Sequence, residues 1–105
     1  MADLPRSVTI LSRSHNIVVV PEGDMPDRWG DCDSARQRIR LATGMATEAV
    51  VDTLLHELIH AMFAIQSLCD DSTEEEVASR LAPALLSVLK DDPAFFRRLT
   101  DVLSG

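Results

Sequence analysis

The sequence is short of positive charge. Only 10 lysine and arginine residues stand against 17 aspartate and glutamate residues, which gives a formal net charge of −7. An acidic surface repels phosphate backbones, so this balance argues against nucleic acid as a partner. A nucleic-acid interface would need a local basic patch formed by Arg28, Arg36, Arg38 and Arg40. We expect these arginines to lie on a solvated loop and strand face instead.

Cysteine and long apolar runs are also scarce. The two cysteines, Cys32 and Cys69, do not form a close metal-type pair, and we expect both to be free thiols. The apolar run at residues 17–20 is far too short to cross a bilayer. The N-terminus has no basic segment followed by an apolar one. These features predict no signal peptide, no membrane partner and a cytoplasmic location.

The length and composition that remain predict one small globular domain over residues 1–105. Hydrophobic residues make up 46% of the chain, which is ample for a folded core. We expect an α+β fold in which a sheet of about three strands packs on one long helix, with two further helices. The core of so small a domain is modest, so a bound metal would add to its stability.

Three segments carry the strand patterns. The β-branched residues at 7–11 and 15–20 predict a hairpin with its turn at 12–14. Alternation at 37–41 predicts an exposed third strand at the edge of the sheet, with Ile39 and Leu41 facing inward. Prolines and glycines predict a loop over residues 21–33. Its Trp29 either pins the loop onto the core, the interpretation we favour, or lines a binding groove.

Three helices follow. Gly44 precedes Thr47, an expected N-cap, and an apolar face repeats at helical spacing to about residue 68. Ser72 or Thr73 can cap a second helix over about residues 74–89. Asp92 as the N-cap and Pro93 at the first helical position predict a third helix that runs to about residue 103.

The first of these helices carries the sequence His-Glu-Leu-Ile-His at residues 56–60. Side chains four residues apart are neighbours on a helix, so His56 and His60 can bind one ion. Glu57 is rotated by about 100° from His56 and can stand beside the ion without binding it. That is the position of a general base that takes a proton from a zinc-bound water. The motif therefore predicts a Zn²⁺ site with Glu57 as the catalytic residue.

Two histidines do not complete such a site, because a catalytic zinc usually has three protein ligands. The position where some zinc peptidases have a third histidine is Gln66 here. A carboxylate of the second helix is the expected third ligand, and Glu74, Glu75 and Glu76 are the candidates. Helical projection turns Glu76 toward solvent and leaves Glu74 and Glu75 on or near the packed side.

The segment at 56–60, followed by Glu75-Glu76-Val77-Ala78-Ser79-Arg80-Leu81-Ala82, resembles the gluzincin peptidases. It is similar to minimal gluzincins and to the ImmA/IrrE-like peptidase domains of phages and bacteria. Glu75 falls on the spacing of their second helix, although Ser79 and Leu81 replace the family's Asn and Phe. Over roughly residues 7–90, the resemblance implies a zincin-like fold, Glu75 as the third zinc ligand, and a peptide substrate bound along the strand at 37–41.

The chain departs from this family in having no tyrosine. Many gluzincins use a tyrosine or a histidine to stabilise the oxyanion. Outside the motif, the candidates are His15, which we expect to be a surface histidine on its strand, and Arg38 or Arg40. The sequence thus leaves two functions open, a zinc metalloendopeptidase and a zinc-stabilised interaction domain without turnover. Glu57 favours the enzyme, because a purely structural zinc site does not need a general base.

Overall fold

The computed structural model describes residues 3–69 and 71–105 of the chain. Met1, Ala2 and Asp70 of the predicted domain lie outside the described residues. The described residues form the strands β1 (Ser7–Ile10), β2 (Arg13–Val20), β3 (Gly30–Asp33) and β4 (Arg38–Ala42), with a single 3-10 turn at Glu22–Asp24. The helices α1 (Thr47–Ile65), α2 (Glu74–Asp91) and α3 (Pro93–Ser104) follow. The predicted α+β class is confirmed.

Strands β1 and β2 form the predicted antiparallel hairpin. Their connection is the pair Leu11 and Ser12, whose φ angles are 49° and 68°. Two positive φ angles in a two-residue connection suit the right-handed twist of the flanking strands. The backbone N–H of Thr9 donates to the carboxylate of Asp92 over 3.0 Å. This bond joins the hairpin to the start of α3.

The sheet has four strands in the order β1-β2-β4-β3, so the prediction of three strands is wrong. The predicted loop over 21–33 is also wrong in its last part, where residues 30–33 form β3. The sequence Gly-Asp-Cys-Asp has no β-branched residue and gives no strand signal. Its register on β4 places Asp31 opposite Arg40 and Asp33 opposite Arg38. Opposite charges across two strands stabilise their pairing.

Strand β4 is not the edge of the sheet that the sequence predicted. It pairs with β2 in parallel on one side and with β3 in antiparallel fashion on the other. The edge beside α1 is therefore β3. The inward direction of Ile39 and Leu41 is confirmed, since they are 0% and 1% exposed.

Helix α1 packs against β3 and β4 and contacts both other helices. Its buried face includes Leu54, Leu58 and Met62, each at most 1% exposed, and these side chains belong to the same core as the inward residues of the sheet. Ala46, not Thr47, is the N-cap, and the helix ends at Ile65 rather than near residue 68. Because the apolar face is turned to the sheet, the histidines of the motif remain on the exposed side of α1.

Helix α2 begins where the sequence predicted. The side chain of Thr73 accepts a hydrogen bond from the backbone N–H of Glu76 over 3.1 Å, which confirms Thr73 as the N-cap. The bond satisfies one of the amide groups that a helix start leaves without a partner. Gln66 at the end of α1 and Arg80 on α2 exchange side-chain to backbone hydrogen bonds of 3.1 and 3.4 Å.

Candidate metal centre

The structure brings His56 and His60 together on the exposed side of α1. Their Nε2 atoms are 3.1 Å apart and their ring centroids 4.7 Å apart. Two nitrogens bound to a tetrahedral zinc at 2.0–2.1 Å would be about 3.3 Å from each other. The pair therefore fits zinc, although a hydrogen bond between the two rings gives the same distance.

Glu57 lies next to His56 on α1, on the side of the helix that faces Gly30 of β3. It is only 7% exposed, whereas both histidines are exposed. Burial raises the pKa of the Glu57 carboxyl, against a smaller opposite effect of His60 and His56. A buried carboxyl group beside two nitrogen donors can exchange a proton with a group held at the pair.

Gly30 allows β3 to approach α1 closely at this point. A Cβ atom at Gly30 would lie 2.7 Å from Thr53 Cγ2, 3.2 Å from the backbone oxygen of Arg40 and 3.4 Å from Glu57 Cγ. Since Thr53 and Glu57 both lie on α1, a side chain at this position would force β3, α1 or the Thr53 side chain to shift.

We expect Gly30→Ala to lower the free energy of unfolding by about 1–3 kcal/mol, as overpacking of a close contact does. Gly23→Ala is the matched control, because a Cβ atom there has nothing within 4 Å. Urea unfolding of both variants measures the difference. Equal stabilities would show that β3 and α1 do not approach as closely as described.

A cavity of about 500 Å³ opens in front of these groups. Its lining comes from β3, the residues flanking it, and α1: Arg28, Gly30, Asp31, Cys32, Ser34, His56, Glu57, His60 and Ala64. The sequence predicted the helical half of this site and missed the half that β3 supplies. The spacing of Asp31 and Asp33, which matches that of Arg38 and Arg40, was the signal that could have revealed the strand.

The structure does not bring the predicted third ligand to the histidine pair. Glu75 is exposed on the first turn of α2, and its carboxylate accepts a hydrogen bond from Ser79 Oγ over 3.3 Å. Glu74 and Glu76 are exposed as well, and none of the three lines the cavity. Among residues 3–69 and 71–105, no three His, Cys, Asp or Glu side chains are grouped so that they could hold a metal ion.

The candidates for oxyanion stabilisation lie elsewhere. His15 is 1% exposed, so the prediction of a surface histidine is wrong. It lines up with Ile17 on the inward side of β2, and its Nδ1 is 3.1 Å from the backbone oxygen of Arg13. Arg40 is held by Asp31 through two hydrogen bonds, one of them 2.9 Å long. Neither residue, nor Arg38, lines the cavity, whereas Arg28 does.

The arginines of the possible basic patch are largely paired with acids. Arg28 lies 3.3 Å from Asp27, and Arg36 lies 2.8 Å from Asp33. Together with the pair formed by Arg40, these contacts neutralise much of the positive charge that a phosphate backbone would require. Cys32 and Cys69 are free thiols, as expected, and burial raises the pKa of the Cys32 thiol.

Comparisons of the chain with protein-family models, with curated proteins and with solved structures gave no match. Among the described helices, none has both the length and the apolar character that a membrane-crossing segment requires.

Proposed function

We propose that the chain is a zinc-dependent metallopeptidase whose ion is held by His56 and His60 and whose general base is Glu57. One observation carries the proposal: two histidine nitrogens 3.1 Å apart adjoin a buried glutamate, and all three residues line one open cavity. A structural zinc site would not need this carboxyl group.

Each residue has a distinct part in peptide hydrolysis. Bound zinc supplies Lewis acidity, which makes water nucleophilic near neutral pH and polarises a peptide carbonyl. His56 and His60 would hold the ion, since their Nε2 atoms lie 3.1 Å apart. Glu57 accepts a proton from the attacking water on its carboxylate and then delivers it to the leaving amine. The buried position of Glu57 keeps bulk water from competing for that proton.

We also propose that the peptide binds along β3, not along residues 37–41. Hydrogen bonding in antiparallel pairs alternates between the two sides of a strand. The backbone N–H of Ala42 donates to the backbone oxygen of Trp29 over 2.9 Å. The backbone N–H and C=O groups of Trp29, Asp31 and Asp33 therefore face β4. The backbone groups of Gly30 and Cys32 then point to the free edge. An extended peptide can add to such an edge beside the cavity.

Glu75 remains our proposal for the third ligand, because it falls on the spacing of the gluzincin motif. In this structure the Glu75 carboxylate accepts a hydrogen bond from Ser79 Oγ, and zinc binding would replace that bond. A zincin-like fold is proposed on the same grounds, from the order of the hairpin, the edge strand β3, the inner strand β4, the motif helix and the second helix. The phage or bacterial relationship and the cytoplasmic location likewise stay predictions from the sequence.

The alternative is a zinc-stabilised interaction domain without turnover. The lack of tyrosine in the chain and the absence of Glu75 from the cavity lining favour it. In that case the ion would contribute to folding and not to chemistry.

Purified protein should contain about one zinc ion per chain and should cleave an unfolded protein such as fluorescently labelled casein. A zinc chelator should stop cleavage, and added zinc should restore it. Elemental analysis and the rate of fluorescence release measure the two properties. Zinc without cleavage of any substrate would establish the interaction domain, and failure to bind zinc would refute both functions.

A further inference from the structure

A second cavity, of about 470 Å³, is lined by residues 22–23 and 25–29. Its lining includes Trp29, the only tryptophan of the chain, together with Met25 and Pro26. Trp29 is 49% exposed, whereas Met25 is 4% exposed. Met25 is therefore the buried side chain of this segment, and the favoured prediction that Trp29 pins the loop onto the core is wrong. A half-exposed indole on the wall of a cavity is available to a ligand.

This Trp29 cavity is continuous with the proposed substrate strand. Trp29 directly precedes β3, and its backbone oxygen extends the ladder with β4. Arg28 lines both the Trp29 cavity and the cavity of the metal centre. Along an extended peptide, residues advance by about 3.3 Å each. A peptide on the free edge of β3 that passes Gly30, beside Glu57, would thus also pass Trp29.

The charges around the Trp29 cavity favour a cation. Glu22 and Asp27 contribute two carboxylates to its lining, against one guanidinium from Arg28. Arg28 lies 3.3 Å from Asp27, so these two charges compensate each other, and the net charge of the lining is that of Glu22, an exposed residue. Aromatic faces attract cations, most strongly when the ring is that of tryptophan.

We propose that the Trp29 cavity is a specificity subsite that binds a lysine or arginine side chain of the peptide substrate. The side chain's apolar stem would lie on Trp29 and Met25, and its charged end would meet Glu22. This inference rests on the proposed peptidase function, because it identifies which peptides that function would select.

The intrinsic fluorescence of Trp29 tests the subsite without any measurement of activity. Three blocked pentapeptides, Ac-Ala-Ala-X-Ala-Ala-amide with X as lysine, norleucine or glutamate, are titrated into the full chain carrying Glu57→Gln. The lysine peptide should change the fluorescence in a saturable way and bind about tenfold more tightly than the norleucine peptide. Added salt should weaken the binding of the lysine peptide and leave the binding of the norleucine peptide unchanged.

Two variants locate the effect. Glu22→Gln should reduce the affinity for the lysine peptide to that for norleucine, whereas Glu48→Gln, which changes an exposed acid of α1 outside the cavity, should leave it unchanged. Equal binding of lysine and norleucine, tighter binding of glutamate, or no fluorescence change with any peptide would each overturn the proposal. If the protein neither binds zinc nor cleaves casein, yet binds the lysine peptide at Trp29, the peptidase function is refuted and the peptide-binding site at Trp29 is supported.

Discussion

Replacing His60 by alanine is expected to abolish zinc binding and to remove the stabilisation that zinc gives the fold. His56→Ala should do the same, because each ring supplies one of two nitrogens that lie 3.1 Å apart. Loss of a residue that merely supports a ligand costs about 10–100-fold in metal affinity, and loss of the ligand itself should cost more. Zinc at about a thousand times its dissociation constant stabilises a native protein by about 4 kcal/mol.

Competition with a chromophoric zinc chelator measures the affinity, and urea unfolding with and without zinc measures the stabilisation. Asp52→Asn is the control, since Asp52 is an exposed acid on the same helix and lies outside the cavity. If both histidine variants kept the zinc affinity of the native chain, the motif would not be a metal site.

The same titration identifies the third ligand. We expect Glu75→Ala to weaken zinc binding severely and Glu76→Ala to leave it nearly unchanged. If Glu74→Ala alone removes the affinity, the register inferred for the second helix is wrong by one residue. If none of the three matters, the ligand lies elsewhere, and Cys32 and Asp31 in the cavity lining become the side chains to replace.

Glu57→Gln should remove hydrolysis while zinc stays bound. The amide has the size of the carboxylate but cannot accept the proton, and general bases contribute about 10²–10⁴-fold to rates. Glu57 is 7% exposed, and a neutral group at this position escapes the cost of burying a charge. The variant should therefore be at least as stable as the native chain.

Initial rates of casein cleavage, zinc content and urea unfolding together test this expectation. Glu48→Gln serves as the control, because Glu48 is exposed in the first turn of α1. A Glu57→Gln variant that retains both zinc and the native rate would remove Glu57 from the mechanism. Loss of zinc in this variant would show that Glu57 is a ligand and not a base.

The helical half of the candidate site could be predicted because it depends on local spacing alone. An interval of four residues brings His56 and His60 together on any α-helix, and the apolar face of α1 sets which side they occupy. The inward direction of Ile39 and Leu41 could be predicted for the same reason. Successive side chains of a strand alternate between its two faces, whichever strands it pairs with.

The half of the site supplied by β3 could not be predicted in this way. Residues 30–33 have no strand propensity of their own and become a strand through pairing with β4. Cys32 reaches the cavity as a member of that strand, and Arg28 reaches it from the segment just before β3. His15 is two residues from Ile17 on β2, so both side chains lie on the same, buried face of the strand. The residue type suggested the opposite, since histidine is common on surfaces.

The composition of β3 also bears on how these chains stay apart from one another. An exposed strand edge offers unpaired backbone groups to any other chain and is a common start of aggregation. β3 is four residues long, begins with glycine and carries the acids Asp31 and Asp33, in a protein with a net charge of −7. Two copies with this net charge would repel each other as they approached edge to edge, and the ladder they could form is only four residues long. The free edge can therefore remain open beside the cavity without promoting self-association through intermolecular sheets.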